Sequence, residues 1–296
     1  MTTDDNNSLP PEPPEPLEPL PQSIEPGAPE GALAATQFSA PLERQLPEDL
    51  RVPWDWLDVV LLAVIAIVGA FLSGVVVVIV LKLFGVSTAN LRKSPDELGL
   101  IAVLGQILLN LALMAYLAVQ MRLRFQSPFW RTIGWRRLET GKVRRGLVYV
   151  ALIFCGFLLA RMVSLAELVF PPKHLLPIQT MFQTPHAALL FMLAAVLLAP
   201  VVEETIFRGY LYPVLARSMG VSAGVVITGT LFGLLHAGQL WGGWWQIALL
   251  VVVGIVFTIA RAFSRTVVAS YILHASYNAL PVIATLLSSV KFRHIH

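Results

Sequence analysis

From Trp54 to the end of the chain, apolar residues come in long unbroken runs, not in the spaced pattern of a soluble amphipathic helix. The runs cover about 57–81, 98–121, 146–170, 186–207, 221–240, 244–262 and 267–289. About 20 helical residues cross a ~30 Å hydrocarbon core, so each run is a candidate span. The pattern predicts an all-α polytopic membrane protein with about seven transmembrane helices, eight being the alternative count. Trp54, Trp56, Trp130, Trp135, Trp241, Trp244 and Trp245 fall near the ends of these runs, where an interfacial aromatic belt is expected.

Residues 1–50 break the pattern. They are Pro/Glu-rich, with PEPPEPLEPLP at 11–21, and they lack the basic start and apolar stretch of a signal peptide. Proline removes backbone donors and the acids repel one another, so a disordered, solvated tail is expected. The tail carries ten acids against Arg44 alone, about −9, which leaves about +12 of the net +3 for the rest. A mean hydropathy of +0.71 with 13% charged residues excludes an ordinary soluble domain. The cations lie between apolar runs, so they suit anionic lipid headgroups and not nucleic acid. The one cysteine, Cys155, lies inside a run and carries no redox information.

Loop charge gives the orientation. The segment 122–145 holds Arg122, Arg124, Arg131, Arg136, Arg137, Lys142, Arg144 and Arg145 against Glu139. The positive-inside rule places it in the cytoplasm, and the tail with it. Its FWRTIGWRRL stretch predicts a short amphipathic helix in the headgroup plane. The division is thus 1–50 tail, 54–170 N-terminal spans with this basic interfacial segment, and a C-terminal helical region. The C-terminus is expected outside, although KFRHIH is mildly basic for that side.

The C-terminal runs contain residues that apolar helices exclude. An ionisable group at mid-bilayer costs about 2.5–3.5 kcal/mol, so each is a functional candidate. Three clusters stand out: LAPVVEETIFRGYLYP at 198–213, TGTLFGLLHAG at 228–238 and SYILHASYNALP at 270–281. Glu203 and Glu204 point about 100° apart on a helix. Glu204 and Arg208 are i and i+4 in the favourable order for an ion pair, which leaves Glu203 as the free carboxylate. Phe232 shares a face with His236, and His274 with Asn278. One carboxylate, two imidazoles and one carboxamide can activate water and stabilise an oxyanion. Arg161 and Glu167 are read as snorkelling or structural. The levels do not match, however: Glu203 and His274 fall in the cytoplasmic half, His236 towards the opposite end. Either the Glu203 helix continues past Pro213, or the fifth span starts later or tilts.

Glu203-Glu204-Thr-Ile-Phe-Arg208 is similar to the EExxxR motif of the CAAX-protease and bacteriocin-processing (CPBP, Abi) family. Phe232-Gly-Leu-Leu-His236 resembles its FxxxH motif and His274-Ala-Ser-Tyr-Asn278 its HxxxN/D motif, in the same order. The resemblance covers about 186–285 and implies a catalytic transmembrane domain there. It implies that Glu203 activates water with His236, that His274 and Asn278 bind the oxyanion or the water, and that Glu204 and Arg208 position the helix. The implied substrate is a membrane-associated peptide or a prenylated CaaX-type protein.

Such a family is described both as metalloprotease and as glutamate protease. Glu203, His236 and His274 form a possible Zn²⁺ set with an open position. Yet HExxH is absent, and Glu203 as ligand would leave only the paired Glu204 as base, so no cofactor is the favoured reading. The competing function is a non-catalytic scaffold or immunity factor using the same polar residues. A transporter is disfavoured, since no repeated halves are visible. Substrate and oligomeric state are not encoded legibly.

Overall fold

The structure, a computed structural model, describes residues 46–85, 95–171 and 192–293. It is helical, with no strand among the described residues. Residues 1–45 and 186–191 lie outside the described residues, so most of the expected tail and the start of the fourth run do too.

Helix α1, Trp56–Leu83, starts on a capping box: the Asp55 carboxylate accepts from the Leu57 and Asp58 backbone, and Asp58 reaches back to Asp55 N–H. Most of its surface is apolar and exposed, including Leu57, Ile67 and Phe71 at 70–73% exposure, which suits lipid as solvent. It packs along α2, Pro95–Leu123. A one-turn helix α3, Phe129–Thr132, precedes α4, Lys142–Val169. Helix α6 is Val221–Leu235, α7 is Trp244–Ser264 and α8 is Val267–Arg293.

Between α4 and α6 runs α5, helical over 192–219. It contains two π turns, Ala194–Leu198 and Thr205–Leu211, on either side of Ala199–Glu204, and ends as Tyr212–Met219. The helix continues through Pro213 to Gly220, whose φ of +88° reverses the chain directly into α6. This settles the mismatch in depth. Glu203 precedes Met219 by 16 residues and His236 follows Val221 by 15. At ~1.5 Å per residue both lie about 23 Å from the Gly220 corner, on antiparallel neighbours.

Three expectations are corrected. The fifth span ends at Leu235 and not at 240, because residues 236–243 form turns. Trp54 is no belt residue: it is fully buried, stacks on Tyr210 with ring centroids 4.7 Å apart and donates its indole N–H to the Tyr210 carbonyl at 2.9 Å. The segment 122–145 is helical for only one turn between α2 and α4. It folds inward, burying Ile133 and Leu138, and Trp135 donates to Thr205 Oγ1 at 3.0 Å. Trp56, Trp130, Trp241, Trp244 and Trp245 are exposed, as a belt requires.

The packed body begins at Leu46, inside the stretch expected to be tail. Leu50 is buried against Tyr212, Ala216 and Val225. A polar chain binds α1, α2 and α5: Arg124 and Gln120 both donate to Asp58, and the Tyr210 hydroxyl donates to Gln120 at 2.8 Å. Elsewhere backbones touch, as membrane helices do through small residues. A Cβ on Gly254 of α7 would lie 2.6 Å from the Gly229 carbonyl of α6.

Five helical stretches are long and apolar enough to cross a membrane: Trp56–Leu83, Ile101–Leu123, Lys142–Val169, Trp244–Ser264 and Val267–Ala284. The chain is an all-α, multi-pass integral membrane protein.

Candidate active site

Helices α5, α6 and α8 bring the three sequence clusters to one place. Glu203 Oε1 lies 4.0 Å from His236 Nε2, and Glu203 Oε2 lies 3.7 Å from His274 Nε2. Each carboxylate oxygen therefore addresses a different imidazole. The Glu203 and His236 side chains keep 22% and 21% exposure, whereas Glu204 and Arg208 have none. The accessible carboxylate is Glu203.

Hydrogen bonds fix how both imidazoles present themselves. His236 Nδ1 lies 2.8 Å from the Phe232 carbonyl and His274 Nδ1 2.9 Å from Glu204 Oε1. Both partners only accept, so each Nδ1 carries the proton and each Nε2 is left to face Glu203. Phe232 sits between these groups, its ring centroid 5.0 Å from that of His236 and 5.6 Å from that of His274.

Arg208 is boxed in. Nη1 donates to Glu204 Oε1 at 3.0 Å, Nη2 to the Gly254 carbonyl at 2.7 Å and Nε to Thr258 Oγ1 at 3.2 Å. Its guanidinium lies 4.4 Å from the Phe232 ring centre and 5.5 Å from that of Phe257. A buried charge persists only when paired and hydrogen-bonded in this way. The i, i+4 pair read from sequence is present, and Glu204 also serves His274, 70 residues away.

Asn278 occupies a different kind of place. In the first π turn Ala199 N–H donates to the Ala194 carbonyl, five residues back. The next carbonyl, Ala195, would need the N–H of residue 200, which is Pro200 and has none. Asn278 Nδ2 supplies that bond at 2.8 Å. One of its two amide hydrogens is thus committed to α5.

Phe257 escaped the sequence reading. It is fully buried and stacks on His274, centroids 4.6 Å apart and planes 28° apart. An aromatic in an apolar run carries no signal of its own. Thr258, next to it, is likewise visible only in three dimensions. Arg161 and Glu167 are exposed on α4.

The proposed zinc donors Glu203, His236 and His274 do not share a centre as placed. Tetrahedral donors at ~2.0–2.1 Å from zinc lie about 3.3 Å apart, closer than the separations above. Among the described residues no group of three His, Cys, Asp or Glu side chains is arranged to hold a metal.

No curated protein and no solved structure matches the chain significantly. Residues 185–280 match the family described as Rce1-like, type II CAAX prenyl endopeptidase Rce1-like. That stretch contains Glu203, His236, His274 and Asn278 together with their buried supports Glu204, Arg208 and Phe232. The chain therefore carries an Rce1-like segment over 185–280, in agreement with the CPBP-family resemblance of its three motifs.

Proposed function

We propose that the protein is an intramembrane endopeptidase that hydrolyses a peptide bond near the C-terminus of a prenylated CaaX-type protein, or of another membrane-associated peptide, with a glutamate-activated water. The observation that carries this reading is the 4.0 Å gap between Glu203 Oε1 and His236 Nε2. It is too long for a direct hydrogen bond, yet one water can bridge two acceptors at that spacing.

In this mechanism the water donates one hydrogen to Glu203 and the other to His236 Nε2. Glu203 takes a proton as the water oxygen attacks the scissile carbonyl carbon. Charge develops on the carbonyl oxygen, which the second amide hydrogen of Asn278 stabilises, while His274 keeps its Nε2 beside Glu203 Oε2, 3.7 Å away. Collapse breaks the C–N bond, and Glu203 returns its proton to the leaving amine. One water is consumed: one of its protons reaches the leaving amine through Glu203, and the other stays with its oxygen on the new carboxylic acid. No step uses a metal. Glu204 and Arg208 stay out of the chemistry and hold His274 and α5.

Helix α5 and the 15-residue α6 complete seven crossings in this reading, with the N-terminal tail cytoplasmic. The experiment that tests the proposal compares membrane-fraction peptides from cells with wild type and with Glu203→Gln. A peptide that accumulates uncleaved in the variant, at equal protein level, supports it. Identical peptide sets, with the biological role intact, indicate a scaffold instead.

A further inference from the structure

A second proline repeats the Pro200 arrangement, and it brings in a residue outside all three motifs. In the second π turn Tyr212 N–H donates to the Phe207 carbonyl, five residues back. The following carbonyl, Arg208, would take the N–H of residue 213, and Pro213 has none. A backbone acceptor left bare among buried residues such as Arg208, Gly209 and Tyr210 is costly. Arg261 of α7 fills the gap: its Nε donates to the Arg208 carbonyl at 3.2 Å.

Arg261 is 1% exposed and has its own fixed partner. Its Nη1 donates to Asp49 Oδ2 at 2.7 Å and its Nη2 to the Asp49 carbonyl at 3.3 Å, while its guanidinium lies 5.4 Å from the Tyr212 ring centre. One fork of donors thus joins the Glu48–Leu50 turn, α7 and the backbone of the residue that pairs with Glu204.

We propose that Arg261 is a positioning residue of the active site: by completing the hydrogen bonding of the π turn at Arg208, it sets how α5 presents Glu203 and Glu204, a role that rests on its Nε–carbonyl bond and not on its ion pair with Asp49. A π turn rotates everything upstream of it relative to an α-helix, so its persistence decides which face the glutamates share with His236 and His274. The inference rests on the reading of Glu203 as catalytic only where activity is the measurement.

The test compares wild type, Arg261→Lys, Asp49→Asn and the double variant Pro213→Ala/Arg261→Lys in lipid nanodiscs. Amide hydrogen exchange over 205–216 is measured first, because it needs no substrate. Lysine keeps a charge for Asp49 but loses the Nε–carbonyl bond, so exchange in that stretch rises about tenfold, with little change in Asp49→Asn. Alanine at 213 returns a backbone N–H to the Arg208 carbonyl, so the double variant regains protection. Where a cleavable peptide is in hand, Arg261→Lys lowers kcat by about tenfold or more with KM little changed, and the double variant recovers. Equal loosening in Asp49→Asn and Arg261→Lys, or no recovery in the double variant, reduces Arg261 to an ion-pair partner and overturns the proposal. If Arg261→Lys fails to accumulate, accumulation of the double variant supports the proposal and its absence overturns it. Protection that behaves as expected in a protein with no peptidase activity leaves Arg261 in its role and removes the protease reading alone.

Discussion

His274 Nδ1 meets Glu204 Oε1 at 2.9 Å, and Arg208 donates to that same oxygen. One buried carboxylate oxygen thus orients an imidazole and neutralises a guanidinium. The two adjacent glutamates consequently have opposite sensitivities. Glu204→Gln leaves the fully buried Arg208 charge unpaired, and breaking a buried pair costs about 3–5 kcal/mol. The expected outcome is a large drop in thermal stability in detergent, with low accumulation in membranes.

Glu203→Gln behaves in the reverse way. Among the described residues no hydrogen bond depends on its carboxylate, and the side chain is partly exposed. Melting temperature stays within a degree or two of wild type while cleavage falls by about 100-fold or more. Retained cleavage would assign the base elsewhere.

His236→Asn removes the ring but leaves Phe232, Arg208 and Glu204 in place. Loss of cleavage with normal folding is expected, on the scale of about 100-fold for a misplaced water. A paired measurement on Glu203→Gln/His236→Asn checks that both act on one water: the double variant then loses no more than the worse single one.

These contrasts show what the sequence could disclose. Glu204 with Arg208, Phe232 with His236 and His274 with Asn278 all sit at i, i+4 on one helix, so spacing alone paired them. The Glu204–His274 bond spans three helices' worth of chain and no local rule reaches it. Arg261 had a signal that went unused, since an arginine inside the 244–262 run breaks the same rule that singled out Glu203. Pro200 and Pro213 were equally visible. A proline within an apolar helix predicts a kink or a π turn, and hence a carbonyl seeking a donor. Trp54 misled because position near a run end cannot distinguish a lipid-facing ring from one that anchors the start of the fold.

Gly254→Ala is expected to harm both stability and chemistry. The new methyl would lie 2.6 Å from the Gly229 carbonyl and 2.9 Å from Phe232 Cδ1, so α6 and α7 must separate or the Phe232 ring must move. Overpacking of this kind costs about 1–3 kcal/mol. Because Phe232 lies against both imidazoles, cleavage by the folded fraction falls as well. Full activity per folded molecule would show that the ring's position is immaterial.

Excess chelator separates the two chemistries of hydrolysis. In purified, active protein it leaves cleavage unchanged if Glu203 works on a free water. Cleavage abolished by chelator and restored by Zn²⁺ would place a metal among Glu203, His236 and His274 and overturn the water-only mechanism.

The two prolines of α5 also carry a consequence for how such a sequence can drift. Each creates a debt that a distant side chain settles: Asn278 for Ala195, Arg261 for Arg208. A lineage that replaces Pro213 by a residue with an N–H releases position 261, and one that replaces Pro200 releases part of the demand on 278. Positions 200 and 278, and 213 and 261, are therefore expected to change in step across related chains, although neither pair is adjacent in sequence and neither includes Glu203.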